Sequence, residues 1–419
     1  MPEVSRDEQP GSIPQLPIAH TTPPAPISSA DSFADAVVAI SQGHGPVAVD
    51  AERASGFKYS QRAYLIQVFR RGAGTFLFDP TGIPDFSPLA RVIDPIEWVL
   101  HAASQDLACL REVGLSPTAL FDTELGARLA GFPRVGLGAI VEELLGIRLA
   151  KSHSAADWSL RPLPESWLEY AALDVELLID LRDAMADVLA AAGKSEIAAQ
   201  EFQAVLDRAP TPSSRGEGWV RLSGVHSIRG AKNLAVAQEL WEARDRFARE
   251  VDIAAGRLIP DASLVAAAKA LPASPAELAR LSSFTGRTSR SELSRWWAAI
   301  EAGLRRTDRP SLRGPGGALP HPRTWAEKNP DADARFRAGR IAVTAIAEEL
   351  SLPVENVLQP ELLRRLAWDA PRELTRESVS AELTARGARP WQVNAVAASL
   401  ATAFVDAAQA QTGPDEPVS

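Results

Sequence analysis

Pro46-Val-Ala-Val-Asp-Ala-Glu52 is a short apolar run ending in two carboxylates two residues apart. Its residues predict a strand, and along a strand residues i and i+2 point to one face. Asp50 and Glu52 would repel each other there and, beside a buried sheet, would also lose solvation. No Lys or Arg precedes them nearby. A divalent metal is the economical counter-charge, provided that the rest of the chain supplies matching ligands.

Working outward, the pattern from Asp31 to about Ala192 alternates between strands and helices. A helix is predicted over Ser32–Ile40. Tyr64–Phe69 and Thr75–Asp79 are β-type runs joined by Arg70-Arg-Gly-Ala-Gly74, which has the composition of a hairpin loop. Glu97–His101 predicts another strand and Ser104–Val113 the helix after it. Leu120-Phe-Asp122 reads as a short strand before a helix at Thr123–Ala130, and Gly136–Leu145 as a further short helix. Pro164 opens a long helix to about Ala191, at a first-turn position where its missing N–H is harmless. Hairpin strands followed by alternating helices and strands predict an α/β domain with a mixed sheet flanked by helices.

The whole chain, 419 residues with a net charge of −9, is too long for one ordinary core. The composition divides it into an N-terminal tail at 1–29, the α/β domain at 30–209, a linker at 210–233, a helical domain at 234–306, a linker at 307–333, a second helical domain at 334–408 and a C-terminal tail at 409–419. The first linker contains Thr211-Pro-Ser-Ser-Arg-Gly-Glu-Gly218 and the second Gly314-Pro-Gly-Gly317. The two helical regions read as diverged repeats. The tail from Met1 to Ser29 is rich in Pro, Ser and Gln, lacks the apolar core of a signal peptide and reads as disordered. The one cysteine, Cys109, rules out an intrachain disulfide and a cysteine zinc site, so a reducing, cytoplasmic location is expected. No run of about 18 apolar residues stands out, so no membrane partner is expected. A monomer is the default, because neither a coiled coil nor an exposed apolar stripe is evident.

Two further acidic positions can complete a ligand set. Asp106, in His101-Ala-Ala-Ser-Gln-Asp-Leu107, falls just past a predicted strand. Taken alone it reads as a first-turn acid facing the helix dipole, with Ser104 as N-cap. Asp174 lies four residues after Tyr170 on the long helix, so the two share a face. Taken alone, Tyr170 reads as a core residue and Asp174 as a solvated one. Asp122 directly precedes a helix and reads as its N-cap.

The combination resembles the DEDD-type 3′–5′ exonucleases of the tyrosine subclass, ribonuclease D above all. The resemblance rests on Asp50-x-Glu52, Asp106 and Tyr170-x-x-x-Asp174 in that order, with Tyr64-Leu-Ile-Gln67, Phe121-Asp-Thr123, Leu149-Ala-Lys-Ser152 and Asp157-Trp-Ser-Leu-Arg-Pro-Leu163 between them. It implies a ribonuclease-H-like fold. Ala51 and Arg53 stand where Thr and Phe are usual around the first motif, and Ser154 and Ala156 where Gln and Ser are common. None of these removes a metal ligand. The middle region, with Trp241-Glu-Ala-Arg-Asp-Arg-Phe-Ala-Arg-Glu250, Ile259-Pro-Asp261 and Leu278-Ala-Arg-Leu281, resembles an HRDC domain, and the last region a weaker copy of it.

Phosphodiester hydrolysis needs an activated water, neutralisation of phosphate charge and a stabilised leaving oxygen. Two divalent ions about 3.5–4 Å apart can supply all three. The resemblance implies Mg²⁺ or Mn²⁺ held by Asp50, Glu52, Asp106 and Asp174, with Tyr170 orienting the water. A tyrosine with an ordinary pKa near 10 is a poor base at neutral pH. The implied substrate is RNA with a free 3′ end, tRNA precursors among them, cut to nucleoside 5′-monophosphates. A DNA exonuclease and a non-catalytic nucleic-acid-binding protein remain as alternatives. Residues 211–310 carry 16 Lys+Arg against 11 Asp+Glu, a local excess of +5 that fits phosphate contact. Gln67, His101, Lys151, Arg161, Arg244 and Trp296 are the expected nucleic-acid contacts. Trp296-Trp297 could stack bases, although an adjacent aromatic pair on a bundle helix is more often core.

Overall fold

The computed structural model describes residues 23–149, 156–208, 218–308, 310–312 and 319–411. Residues 1–22 and 412–419 of the two expected tails lie outside that range, as does Lys151.

The N-terminal domain begins with α1 (Ala30–Gln42), capped by the Ser29 side chain. β1 (His44–Arg53), β2 (Ala63–Arg71) and β3 (Gly74–Phe78) follow as an antiparallel set. After α2 (Ser87–Ile93), β4 (Glu97–Leu100) pairs parallel to β1. Then come α3 (Leu107–Glu112), β5 (Ala119–Asp122), parallel to β4, α4 (Thr123–Ala130) and α5 (Leu137–Leu145). The sheet order is β3-β2-β1-β4-β5, the expected mixed sheet. β1 lies at its centre, with Val47, Ala48 and Val49 fully buried. Because β1 and β4 run parallel, their C-terminal ends emerge at one edge, and that edge carries the acidic residues.

The long helix expected from Pro164 to Ala191 is two helices, α6 (Glu165–Glu176) and α7 (Leu178–Ala191), separated at Leu177. No Pro or Gly marks the break. α6 packs on β1, β2 and β3, whereas α7 packs on α4, α5, β1 and β4. Tertiary packing therefore sets this break rather than local propensity. α8 (Ser195–Asp207) completes the domain against β5. The N-terminal tail also ends earlier than expected, since Ile27 bridges to Phe78 and extends the sheet edge.

The middle bundle comprises α9 (Ala231–Val251), α10 (Ala255–Leu258), α11 (Asp261–Ala270), α12 (Pro275–Arg280), α13 (Arg287–Ser291) and α14 (Leu293–Arg305). The expected linker over 210–233 is shorter, because Trp219, Leu222, Val225 and Ile228 are buried in this bundle's core. The C-terminal bundle comprises α15 (Trp325–Lys328), α16 (Pro330–Glu349), α17 (Val354–Val357), α18 (Pro360–Trp368), α19 (Arg376–Ala385) and α20 (Pro390–Gln411). Here too the linker expected to 333 ends early: Trp325 is fully buried against Phe336 and Trp368.

The two bundles share one layout. A long helix (α9, α16) ends near a left-handed residue, Asp252 at φ +49° or Ser351 at φ +50°. A four-residue helix follows, then an extended residue, Ile259 or Leu358. The closing helix packs back on the opening one, α14 on α9 and α20 on α16. α20 is long and apolar enough, by length and composition, to cross a membrane. Its Trp391, Val396, Ala397, Leu400 and Phe404 face is nevertheless buried against α16 and α19, so it is used here as a core helix.

Both bundles dock on the α/β domain. The segment after β1 meets the middle bundle through Tyr59 Oη to Asp245 (2.8 Å), Ser60 N to Asp252 (2.8 Å) and Arg257 Nε to the Gly56 carbonyl (2.6 Å). The C-terminal bundle is held by Arg389 on the buried Glu201, with both nitrogens at 2.6 Å. Lys194 Nζ, donating to the Leu129 and Ser351 carbonyls, bridges the same junction.

Candidate active site

Asp50 and Glu52 reach the sheet edge on one face of β1, as strand alternation requires. α6 crosses that face and brings Asp174 down onto them. One carboxylate oxygen from each of Asp50, Glu52 and Asp174 lies within 4.8 Å of the others. Asp106 joins them from the turn after β4, on the wall of the same cleft of about 260 Å³. It sits at the N-terminus of α3, where the helix dipole favours an acid, but makes no capping hydrogen bond. Ser104 does not cap that helix either. Tyr170, one turn before Asp174, lines the cleft and hydrogen-bonds the Asp174 carboxylate.

The turn that presents Asp106 is held by Asp122. Its carboxylate accepts from the Ala102 and Ala103 amides (3.0 and 2.9 Å) and from Glu124 and Leu125 at the start of α4. Asp122 is thus the expected N-cap and also fixes Ala102, whose φ of +62° is left-handed for a residue with a Cβ. The sequence marked the cap; only the fold shows the second hold.

Electrostatics make this cleft unstable as a set of four free carboxylates. Burial, then the charge of Asp50, pushes Asp106 and Asp174 up to about 8. Burial, then Asp50, Asp174 and Asp106, pushes Glu52 up to about 10. Asp50 rises to about 6 by burial, opposed by the Ala51 amide and Arg53. The donor set is all hard oxygen and carries excess negative charge, which suits divalent cations such as Mg²⁺ or Mn²⁺. Burial and the neighbouring acids raise the Tyr170 phenol above its ordinary value, so it stays a hydrogen-bond donor.

His101 also lines the cleft. Its Nδ1 lies 2.9 Å from Thr123 Oγ1, and the Thr123 hydroxyl donates to the Leu100 carbonyl at 3.2 Å. The hydroxyl proton being committed, Nδ1 must be the donor, which leaves Nε2 as an acceptor. Burial lowers the His101 pKa to about 4, keeping the ring neutral.

Other expected nucleic-acid contacts are corrected. Gln67 is fully buried opposite Asp50 in the β1–β2 ladder, with neither side-chain polar atom hydrogen-bonded. Arg161 is committed to Asp79 and to the carbonyls of Trp158, Leu160 and Tyr64. Arg244 is 5% exposed and bonds Asp261 and the Ile259 carbonyl. Trp296 is fully buried against Phe247 and serves the bundle core. In each case a residue type that suits nucleic acid is engaged in packing or internal pairing. Arg53, Gln105, Leu137 and Leu178 line the cleft without having been singled out as contacts. Only Arg53, directly after the Asp-x-Glu pair, left a visible signal.

Comparison with known proteins places this arrangement. A family model described as 3′-5′ exonuclease matches residues 25–190, and one described as HRDC domain matches 233–300. A third, described as 3′ to 5′ exonuclease C-terminal domain, matches 318–404. Ribonuclease D of Escherichia coli is 31% identical over 324 residues, which is 76% of this chain and 84% of that protein. The chain belongs to the ribonuclease D family. Ribonuclease D of Gluconacetobacter diazotrophicus is likewise 31% identical, over 69% of this chain and 72% of that one. Among solved structures, a protein from Bifidobacterium adolescentis is similar at 37% identity and a TM-score of 0.82, covering 91% of this chain and 97% of that one. The crystal structure of E. coli RNase D, described as an exoribonuclease involved in structured RNA processing, is similar at 28% identity and a TM-score of 0.64, over 88% and 97%. This member of the ribonuclease D family is a 3′–5′ exoribonuclease. Its HRDC domain and nuclease domain mark nucleic acid as its substrate.

Proposed function

We propose that Asp50, Glu52, Asp106 and Asp174 hold two divalent ions and that Tyr170 orients the attacking water. The reading rests above all on the convergence of three carboxylate oxygens from β1 and α6 within 4.8 Å, on residues 124 positions apart in the chain at their extremes. Bound ions would supply charge neutralisation and acidify a water molecule. Tyr170, anchored on Asp174, keeps its proton and donates a directed hydrogen bond. The neutral Nε2 of His101 is placed to accept from a ribose hydroxyl, and Leu137 and Leu178 offer apolar contact to the terminal nucleotide.

The substrate in this reading is RNA with a free 3′ end, tRNA precursors among them, degraded to nucleoside 5′-monophosphates by a cytoplasmic monomer. The involvement of E. coli RNase D in structured RNA processing supports that choice. The domain division supports it too, since both helical bundles are anchored to the nuclease domain. The test incubates the purified protein and Mg²⁺ or Mn²⁺ with matched 3′-overhang RNA and DNA. RNA should be shortened from its 3′ end, and Asp50→Ala should abolish the reaction. Full activity of that variant would sink the site assignment, and digestion of DNA alone would overturn the substrate.

A further inference from the structure

Arg53 follows the Asp-x-Glu pair and stands where Phe is usual in the enzymes this chain resembles. Strict alternation along β1 would turn it away from the face that carries Asp50 and Glu52. The ladder, however, shifts register at this point: Glu52 pairs with Leu65 but Arg53 with Ala63. Arg53 lines the same cleft as the four carboxylates and Tyr170.

It is the one permanently charged cation among the described cleft-lining residues. Its side chain is a quarter exposed, and the guanidinium pairs with Asp106 at 3.6 Å. That separation is an ion pair without a hydrogen bond. The contrast with Arg161 and Arg244, whose donors are engaged internally, is clear. Arg53 reaches the cleft with unspent donors in a planar fork that matches phosphate.

We propose that Arg53 is a substrate-contacting residue that grips a non-bridging oxygen of the 3′-terminal phosphodiester. The inference rests on the exonuclease reading and adds a residue to it. A divalent ion drawing on the Asp106 charge would weaken that pairing. A phosphate entering the cleft would then compete for the guanidinium. The grip would fix the terminal nucleotide from the β1 side, opposite Tyr170 on α6.

The experiment compares wild type with Arg53→Ala, Arg53→Lys and Arg53→Phe, the last restoring the residue usual in the family. Three quantities are measured: kcat and KM on a single-stranded oligoribonucleotide at saturating Mn²⁺, the Mn²⁺ concentration at half-maximal rate, and binding of AMP in Mn²⁺ by calorimetry. The Ala and Phe variants should lose about 10- to 100-fold in kcat/KM, mainly through KM. AMP binding should weaken in parallel, Lys should recover part of both, and the Mn²⁺ requirement should hold within about twofold. Unchanged AMP binding in folded Arg53→Ala or Arg53→Phe would overturn the proposal. So would a Mn²⁺ shift as large as the KM shift, because Arg53 would then act on the carboxylates. Absence of hydrolysis by the wild type would instead refute the exonuclease reading.

Discussion

Asp174→Asn should remove activity and make the metal-free protein more stable. Burial and the neighbouring Asp50 raise the Asp174 carboxyl from 3.8 to about 8, so the folded state holds a proton that the unfolded chain releases. Stability from this group is therefore fully present below the unfolded value of 3.8 and is lost as pH climbs toward the folded one. At pH 7 the cost spans roughly three pH units at about 1.4 kcal/mol each, giving an upper bound of about 4 kcal/mol. Glu52 and Asp106 contribute to the same field, so a gain on the order of 2–4 kcal/mol is expected for the neutral isostere. For a domain of this size that corresponds to about 5–15 °C in Tm. Thermal unfolding in EDTA at pH 7 and at pH 4 measures it. The variant should melt higher at pH 7, and the gain should shrink at pH 4, where the folded carboxyl is protonated and the unfolded one about half so. Mn²⁺ should raise the Tm of the wild type and leave that of the variant nearly unchanged. A variant that melts at or below wild type at pH 7, or a gain undiminished at pH 4, would refute the reasoning.

Tyr170→Phe should cut the hydrolytic rate by about 10- to 100-fold while leaving Mn²⁺ affinity intact by calorimetry. Because the phenol is held above its ordinary value, the wild-type rate should show no rise near pH 10 that depends on Tyr170. Gly303→Ala should destabilise the middle bundle by about 1–3 kcal/mol in urea unfolding. A Cβ there would lie 2.6 Å from the Val236 Cα, where α14 crosses α9. Arg389→Ala should cost about 3–5 kcal/mol by leaving the buried Glu201 without its cation. Limited proteolysis should then release the C-terminal bundle faster than in wild type.

Much of the site was legible because its signals are local. Asp50 and Glu52 are fixed by strand alternation and Tyr170 and Asp174 by helical spacing, so each pair carries its own geometry. Asp106 was ambiguous for the opposite reason. A first-turn acid has the same local signature whether it caps a helix or faces a cleft, and only the missing cap bond and the neighbouring carboxylates separate the two. Trp296 and Arg244 misled as expected nucleic-acid contacts because residue type does not encode direction. The first fills a bundle core, and the second is itself buried and paired with Asp261. The break at Leu177 was invisible, since nothing local interrupts the helical pattern there.

By itself the sequence determined the order of strands and helices, the mixed sheet and four of the carboxylate-and-tyrosine positions through their paired spacing. The tertiary structure alone decided which side chains converge. It brought β1, the turn after β4 and α6 to one sheet edge, locked that turn through Asp122 and set Arg53 on the cleft wall. Spacing along one element is set by backbone periodicity. Convergence of separate elements depends on how their buried faces pack.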